Sequence, residues 1–192
     1  MEQRRSKQLP LAGSEGELVS QAQGGSLTAF DELVSIHQER VHALAYRILA
    51  HDEDAADIQQ ETFVRAWLAL RKFRGDAAFS TWLHRITVNL CLSRKRDRAR
   101  LDVVESFDED RLGAAGRACV ESVDTRMIVR AALAAIPAPH RTLLVLRDIE
   151  GRAYEEIAEI VGASVESVRT RLCRARKLLR EKMRPYLEEE ES

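Results

Sequence analysis

The chain has 192 residues, of which 32% are charged, with 30 Lys and Arg against 31 Asp and Glu and a formal net charge of −1. Aromatic residues make up only 5%, and Gly (9) and Pro (4) are few, a mixture that favours helices over sheets. Near-neutrality does not exclude a polyanionic partner, because the charge is segregated: acids gather at 53–61, 105–110 and 188–191, bases at 94–100 and in the last helix.

Cys91, Cys119 and Cys173 stand far apart, an odd count without ligand spacing, and read as reduced thiols of a cytosolic protein, with Cys91 and Cys119 as small buried hydrophobes. The histidines at 37, 42, 51, 84 and 140 form no metal constellation, so no cofactor or metal is expected. No apolar run approaches membrane-spanning length and the N-terminus lacks a signal-peptide pattern, so no direct membrane insertion is expected. No phosphate-binding loop or catalytic constellation is present, and the chain does not read as an enzyme.

In chain order, residues 1–24 read as a loose polar tail and a short helix (17–23) ending at Gly24-Gly25. Ser26 caps a long helix to about Ala50, whose stripe of Phe30, Leu33, Val34, Val41, Leu44, Ala45, Ile48 and Leu49 is interrupted at a polar turn, 37–40. Asp52 starts the next helix, with acids in its first turns. Ile58, Thr62, Ala66 and Leu70, widened by Phe63 and Trp67, form its buried face, and Asp54, Asp57, Gln60, Glu61 and Arg65 its surface. That density of acids suits a basic protein partner. Gly75 permits a sharp reversal in the loop Phe73-Arg74-Gly75-Asp76. The helix after it, 79–97, buries Phe79, Trp82, Leu83, Ile86 and Leu90. A polar row of Thr81, Arg85, Asn89 and Ser93 runs up its other side to a basic end containing Arg94 and Arg96. Trp82 reads as core, yet rings beside a polar row and cations also suit single-stranded DNA, whose bases stack on aromatics while cations track the backbone.

The apolar period is lost over 99–122, which reads as an acidic, flexible linker. Val123, Met127, Ile128, Ala131, Leu133 and Ala134 then form a helix stopping before Pro137, and Pro139 opens another that carries Leu143, Leu144, Leu146 and Ile149 to Gly151. The stretch 154–184 reads as a helix-turn-helix. Ile157, Ala158 and Val161 line a short helix ended by Gly162, and Ser164 caps a second helix packed through Val165, Val168, Leu172, Ala175 and Leu179. Its outer face carries Ser167, Arg169, Thr170, Cys173, Arg174 and Lys177, flanked by Arg171 and Arg176, a basic surface suited to duplex DNA. The chain therefore reads as all-α: two small helical domains, 25–98 and 123–186, with an acidic tail at 187–192.

The run DAADIQQETFVRAW, then FRGDAAFSTWLHRITVN, a basic end, an acidic linker and LRDIEGRAYEEIAEIVGASVESVRTRLCRARKLL resembles the extracytoplasmic-function sigma factors of the sigma-70 family over about residues 25–185. The resemblance implies a region 2-like bundle and a region 4-like helix-turn-helix. It implies binding to core RNA polymerase through the β′ clamp helices and the β flap, recognition and opening of promoter DNA, and control by an anti-sigma factor, often membrane-tethered. On this match Asp54, Asp57, Gln60, Glu61 and Arg65 contact the polymerase. Phe73, Arg74, Asp76, Phe79 and Trp82 shape a pocket for an extruded minus-ten base, and Arg85, Asn89, Arg94 and Arg96 meet the unpaired strand or its backbone. Ser167, Arg169, Thr170, Arg171, Cys173, Arg174, Arg176 and Lys177 read the minus-35 element. The residues alone admit two other readings: a helix-turn-helix regulator whose N-terminal half dimerises or senses, and an all-helical adaptor without DNA. The adaptor leaves the arginines of the last helix unexplained.

Overall fold

The computed structural model describes the backbone of residues 14–105 and 125–188 and the side chains of 14–97 and 127–186. The expected polar tail, most of the acidic linker with Cys119, Val123 and the acidic tail lie outside the described residues.

Helix α1 (Glu15–Gln23) starts two residues before the sequence-based expectation, because the Ser14 N–H donates to the Glu17 carboxylate at 2.9 Å in a capping arrangement. Helix α2 (Leu27–Leu49) is capped by Ser26, whose Oγ accepts from the Ala29 N–H at 3.3 Å. The expected polar interruption at 37–40 needs correcting at its first residue. His37 is buried, its Nε2 lies 2.6 Å from Glu15 Oε1, and its ring packs 5.4 Å from that of Phe79. A neighbouring carboxylate and a ring make this polar side chain compatible with the core. Helix α3 (Asp52–Ala69) starts as expected, with His51 Nδ1 accepting from the Asp54 N–H, and runs into a 3-10 turn, Leu70–Lys72. Helix α4 spans Phe79–Glu105.

In the C-terminal half, α5 (Thr125–Ala134) and α6 (Ala138–Leu144) flank Pro137. The α5 stripe read from sequence is displaced: Met127 is 60% exposed and Ala131 and Ala134 are exposed, whereas Ala132, Leu133 and Ile136 are buried. Leu133 and Ile136 join the core that α2 shares with α6 and the last two helices, and that packing sets which side of the helix is covered. Beyond α6, Val145–Ile149 widens to π geometry before Gly151 reverses the chain at φ +69°. Helix α7 (Tyr154–Val161) ends at Gly162, whose φ of +64° is left-handed as a C-cap requires. Helix α8 (Val165–Glu188) opens with the Ser167 N–H bonded to Ser164 Oγ at 3.2 Å and buries Val168, Leu172 and Ala175 as its spacing predicts.

Two cores result. One lies wholly within the N-terminal half, built from Leu18, Phe30, Leu33, Val41, Phe63, Ala66, Leu70, Phe79 and Leu83. The other joins the halves: Leu44, Ile48, Ile58, Val88 and Cys91 share one cluster with Ile136, Leu143, Leu144, Leu146, Ile157, Ile160, Val168 and Leu172. Each such aliphatic side chain contributes about 1.5–3 kcal/mol on full burial, so the two helical domains are cemented together here. This joint also explains why α4 is buried on more than its expected stripe. Thr81, the first member of the polar row, and His84 are buried against α7, while Thr87 is buried facing Thr62 of α3 and Arg85 and Asn89 stay exposed. Among the described residues no helix is long and apolar enough to cross a membrane.

Candidate nucleic-acid interface

The loop between the 3-10 turn and α4 is held from both sides. Gly75 adopts φ +76°, which a side chain would resist. From α1, the Gln23 amide donates to the carbonyl oxygens of Leu70 at 3.1 Å and Phe73 at 2.7 Å. Sequence reasoning missed this brace, since nothing in residues 17–23 announces a contact 50 positions away. Below the loop the rings of Phe73, Phe79 and Trp82 form a mutual cluster with centroids 5.0–5.9 Å apart. Phe79 is buried and forms a wall of the cleft between α1 and the loop, beside Gln23, Phe73 and Arg74. Phe73 and Trp82 are half-buried, and with Lys72, Arg74, Asp76 and Arg85 they line a second cleft on the other side of the loop. The structure thus gathers Phe73, Arg74, Asp76, Phe79, Trp82 and Arg85 at one place. It sets Asn89 one turn further along α4, exposed.

Arg94 goes elsewhere. Its guanidinium donates to Asp54 at 3.2 Å and Asp57 at 3.4 Å, so its cation is engaged with the acids of α3, while Arg96 is exposed. On α3, Glu61 and Arg65 pair across one turn, and Asp57 and Gln60 are exposed. Between them stand Val64 and Leu68, 58% and 74% exposed and four residues apart. Sequence reasoning passed over this apolar strip. Acids flanking exposed aliphatics make a surface suited to a basic, amphipathic helix partner.

The outer face of the helix-turn-helix presents Arg169, Thr170, Arg171, Cys173, Arg174, Arg176 and Lys177, all exposed, with Ser167 half-buried. Ser164, Ser167, Thr170, Arg171 and Arg174 line a shallow cleft at the start of α8. Two of the arginines are positioned by neighbours outside the sequence-predicted set. Arg176 makes a two-pronged pair with Asp148 at 2.5 and 3.2 Å, and that hydrogen bonding raises its already high pKa further. Tyr154 is flanked by guanidiniums, Arg147 at 4.6 Å and Arg169 at 5.4 Å from the ring centroid, close enough for cation–π attraction.

Burial pushes the Cys91 thiol up to about 12, which leaves it unreactive, and Cys173 is exposed on α8. Among the described residues no cluster of three or more His, Cys, Asp or Glu has the disposition to hold a metal.

Comparison with known proteins gives these surfaces a frame. Residues 33–101 match the family model of Sigma-70 region 2, and residues 126–179 that of Sigma-70, region 4. The RNA polymerase sigma-H factor of Pseudomonas aeruginosa is 35% identical over 184 residues, covering 90% of this chain and 95% of that one. The ECF RNA polymerase sigma-E factor of Escherichia coli is 34% identical over 181 residues, covering 88% and 94%. Among solved structures, the sigma factor RpoE of Bartonella quintana, in complex with the anti-sigma factor NepR, superposes with a TM-score of 0.66 at 25% identity over 82% of this chain and 98% of that one. CnrH, in complex with the cytosolic domain of CnrY, gives 0.62 at 30% identity over 86% and 94%. With both regions matched in order and relatives aligned nearly end to end, the chain belongs to the extracytoplasmic-function sigma factors of the sigma-70 family.

Proposed function

We propose that the chain binds core RNA polymerase, directs it to promoters and opens them, dividing the work between two surfaces. The exposed face of α3, with Asp57, Gln60, Glu61 and Arg65 around Val64 and Leu68, docks on the β′ clamp helices, and the C-terminal half meets the β flap. The helix-turn-helix reads the minus-35 element in duplex form, with Arg169 and Arg174 toward base edges and Arg171 and Lys177 toward phosphates. The clefts around Phe73, Arg74, Asp76 and Trp82 take a minus-ten base from the opened strand, and Arg85 and Asn89 follow its backbone. Extruding a base costs a few kcal/mol, and stacking and backbone capture worth about 1–3 kcal/mol per base offset it. No bond is made or broken by the chain itself. An anti-sigma factor covers these faces until a signal releases them. The chain acts in the cytoplasm, at the inner membrane when its anti-sigma factor is anchored there.

The observation that carries this reading is the presence, on one chain, of a braced aromatic and basic cleft and a helix-turn-helix with an exposed arginine face. The regulator reading accounts for the second and gives the first no task. Co-elution with core polymerase tests the assignment: the wild-type chain joins the enzyme, and Asp57→Lys combined with Glu61→Lys does not. Equal co-elution of the variant would remove the α3 face from the account.

A further inference from the structure

Helix α1 precedes residues 33–101, the stretch matched to Sigma-70 region 2, yet it forms one side of the cleft whose other side is the loop of Phe73, Arg74 and Gly75. Leu18, Val19 and Ala22 anchor it in the N-terminal core, so it is a fixed wall and not a loose extension. Two polar ties run from this wall, one to the loop and one to the ring behind it.

The first tie is Gln23, half-buried at the last position of α1. Its Nε2 carries two hydrogens and has two acceptors, the carbonyl oxygens of Leu70 at 3.1 Å and Phe73 at 2.7 Å. The Leu70 carbonyl also accepts from the Phe73 N–H at 3.0 Å, which closes the 3-10 turn. Gln23 thus fixes the point where the turn ends and the loop begins. Two residues on, Gly75 takes φ +76°, and glycine has more backbone freedom to lose than any other residue. A loop with that freedom keeps one shape only if something outside it holds it.

The second tie leaves the opposite end of α1. Glu15 Oε1 lies 2.6 Å from His37 Nε2, and the His37 ring lies 5.4 Å from that of Phe79. Phe79 is the buried wall of the same cleft and packs on both Phe73 and Trp82. One helix therefore holds the backbone of the loop and, through His37, the aromatic side of the cleft.

With both donor hydrogens directed at the loop, Gln23 has none to offer a base, and it acts through the loop. Docking on polymerase through α3 and reading of duplex DNA through α8 use other surfaces. The shape of the loop matters once a base leaves the stack, when a loop already ordered loses no further freedom on receiving it. Resting on the sigma-factor reading, we propose that α1 belongs to the promoter-opening machinery and that Gln23 is a positioning residue, which preorganises the base-capturing loop through the carbonyls of Leu70 and Phe73.

The test uses holoenzyme assembled from core RNA polymerase and the full chain, on a promoter fragment identified by run-off transcription. The rate of forming heparin-resistant complexes, followed across holoenzyme concentrations, separates the half-saturating concentration, which reports binding, from the limiting rate, which reports opening. Gln23→Met keeps the length of the side chain and removes both donors, and Gln23→Glu sets a carboxylate against two carbonyl oxygens. Each is expected to lower the limiting rate about tenfold, within the net range of two hydrogen bonds. The half-saturating concentration stays within about twofold of the wild type. Gln21→Ala, exposed on the same helix and outside the cleft, opens at the wild-type rate. Circular dichroism at the assay temperature verifies that each variant is folded. A wild-type limiting rate in Gln23→Met, or a loss that falls on the half-saturating concentration instead, overturns the proposal. Equal slowing by Gln21→Ala also overturns it, by making α1 a general support of the fold. A wild-type chain that grants polymerase no start site fails the sigma-factor reading and takes this role with it. A wild-type chain that opens promoters beside Gln23 variants that open them equally well overturns the role of Gln23 alone.

Discussion

Arg141 Nη1, on α6, donates to the carbonyl oxygen of Ile48, the penultimate residue of α2, at 2.8 Å. The guanidinium also reaches the carbonyls of Ala134 and Ile136. One buried cation thus closes the C-terminal ends of two helices from different halves of the chain, where carbonyls have no partners of their own. Burial lowers the Arg141 pKa, yet an arginine stays protonated in any ordinary environment. Replacement by Ala leaves three carbonyls unpaired and is expected to lower stability by about 3 kcal/mol. Lys, with a single point of charge, recovers little of it. Urea midpoints of the wild type, Arg141→Ala and Arg141→Lys check both statements.

His84 makes stability depend on pH. Its imidazole is buried, and desolvation, then the Arg152 charge, push its pKa down from 6.5 to about 4. The native state holds the neutral ring, whereas the unfolded chain takes up a proton as pH falls through 6.5. Stability is therefore fully present above about pH 6.5 and is lost as pH falls toward 4, by about 2 kcal/mol at pH 5. Urea unfolding at pH 7 and pH 5 measures the loss, and His84→Gln is expected to flatten that part of the profile. An unchanged slope in the variant would place the titrating group elsewhere.

Tyr154 packs against Arg169 on the outer face of the helix-turn-helix. Its ring meets the guanidiniums of both Arg147 and Arg169, a contact worth about 0.5–2 kcal/mol per cation. Tyr154→Leu is expected to weaken binding of an isolated minus-35 duplex by about three- to tenfold, and Tyr154→Phe to keep most of it. Anisotropy titrations that rank the two variants equally would assign the ring a purely packing role.

Arg174 and Arg171 should differ in kind. Arg174→Ala is expected to cost about 1–3 kcal/mol of discrimination at one base pair of the minus-35 element. Arg171→Ala is expected to weaken binding alike for every sequence and to reduce the salt slope by about one. Competition with single-base variants of the site, repeated at two salt concentrations, separates the two.

Asn89 is exposed on α4, one turn beyond Arg85. Asn89→Ala should impair opening more than duplex binding. Permanganate reactivity across the melted region is the readout, and full reactivity in the variant would remove Asn89 from the strand path.

Much of this was legible in the residues. Gly162 and Ser164 announce the turn of the helix-turn-helix, and the spacing of Val168, Leu172 and Ala175 gives the buried side of α8, because both signals are local. What stayed hidden depends on partners distant in sequence. His37 looks like a break in a stripe until Glu15 and Phe79 surround it. Thr81 looks like part of an open polar row until α7 covers it, and Arg94 like a strand contact until Asp54 and Asp57 receive it. The exposed Val64 and Leu68 are read as a surface only once their helix is seen to bury its other face. The clefts and the brace from Gln23 likewise belong to the tertiary arrangement.

Run-off transcription by core RNA polymerase on a panel of genomic fragments, with and without the chain, is the most direct test. Discrete transcripts are expected only when the chain is added, and they fall when Asp57 and Glu61 are both reversed to Lys. A chain that grants core polymerase no start site on any fragment contradicts it.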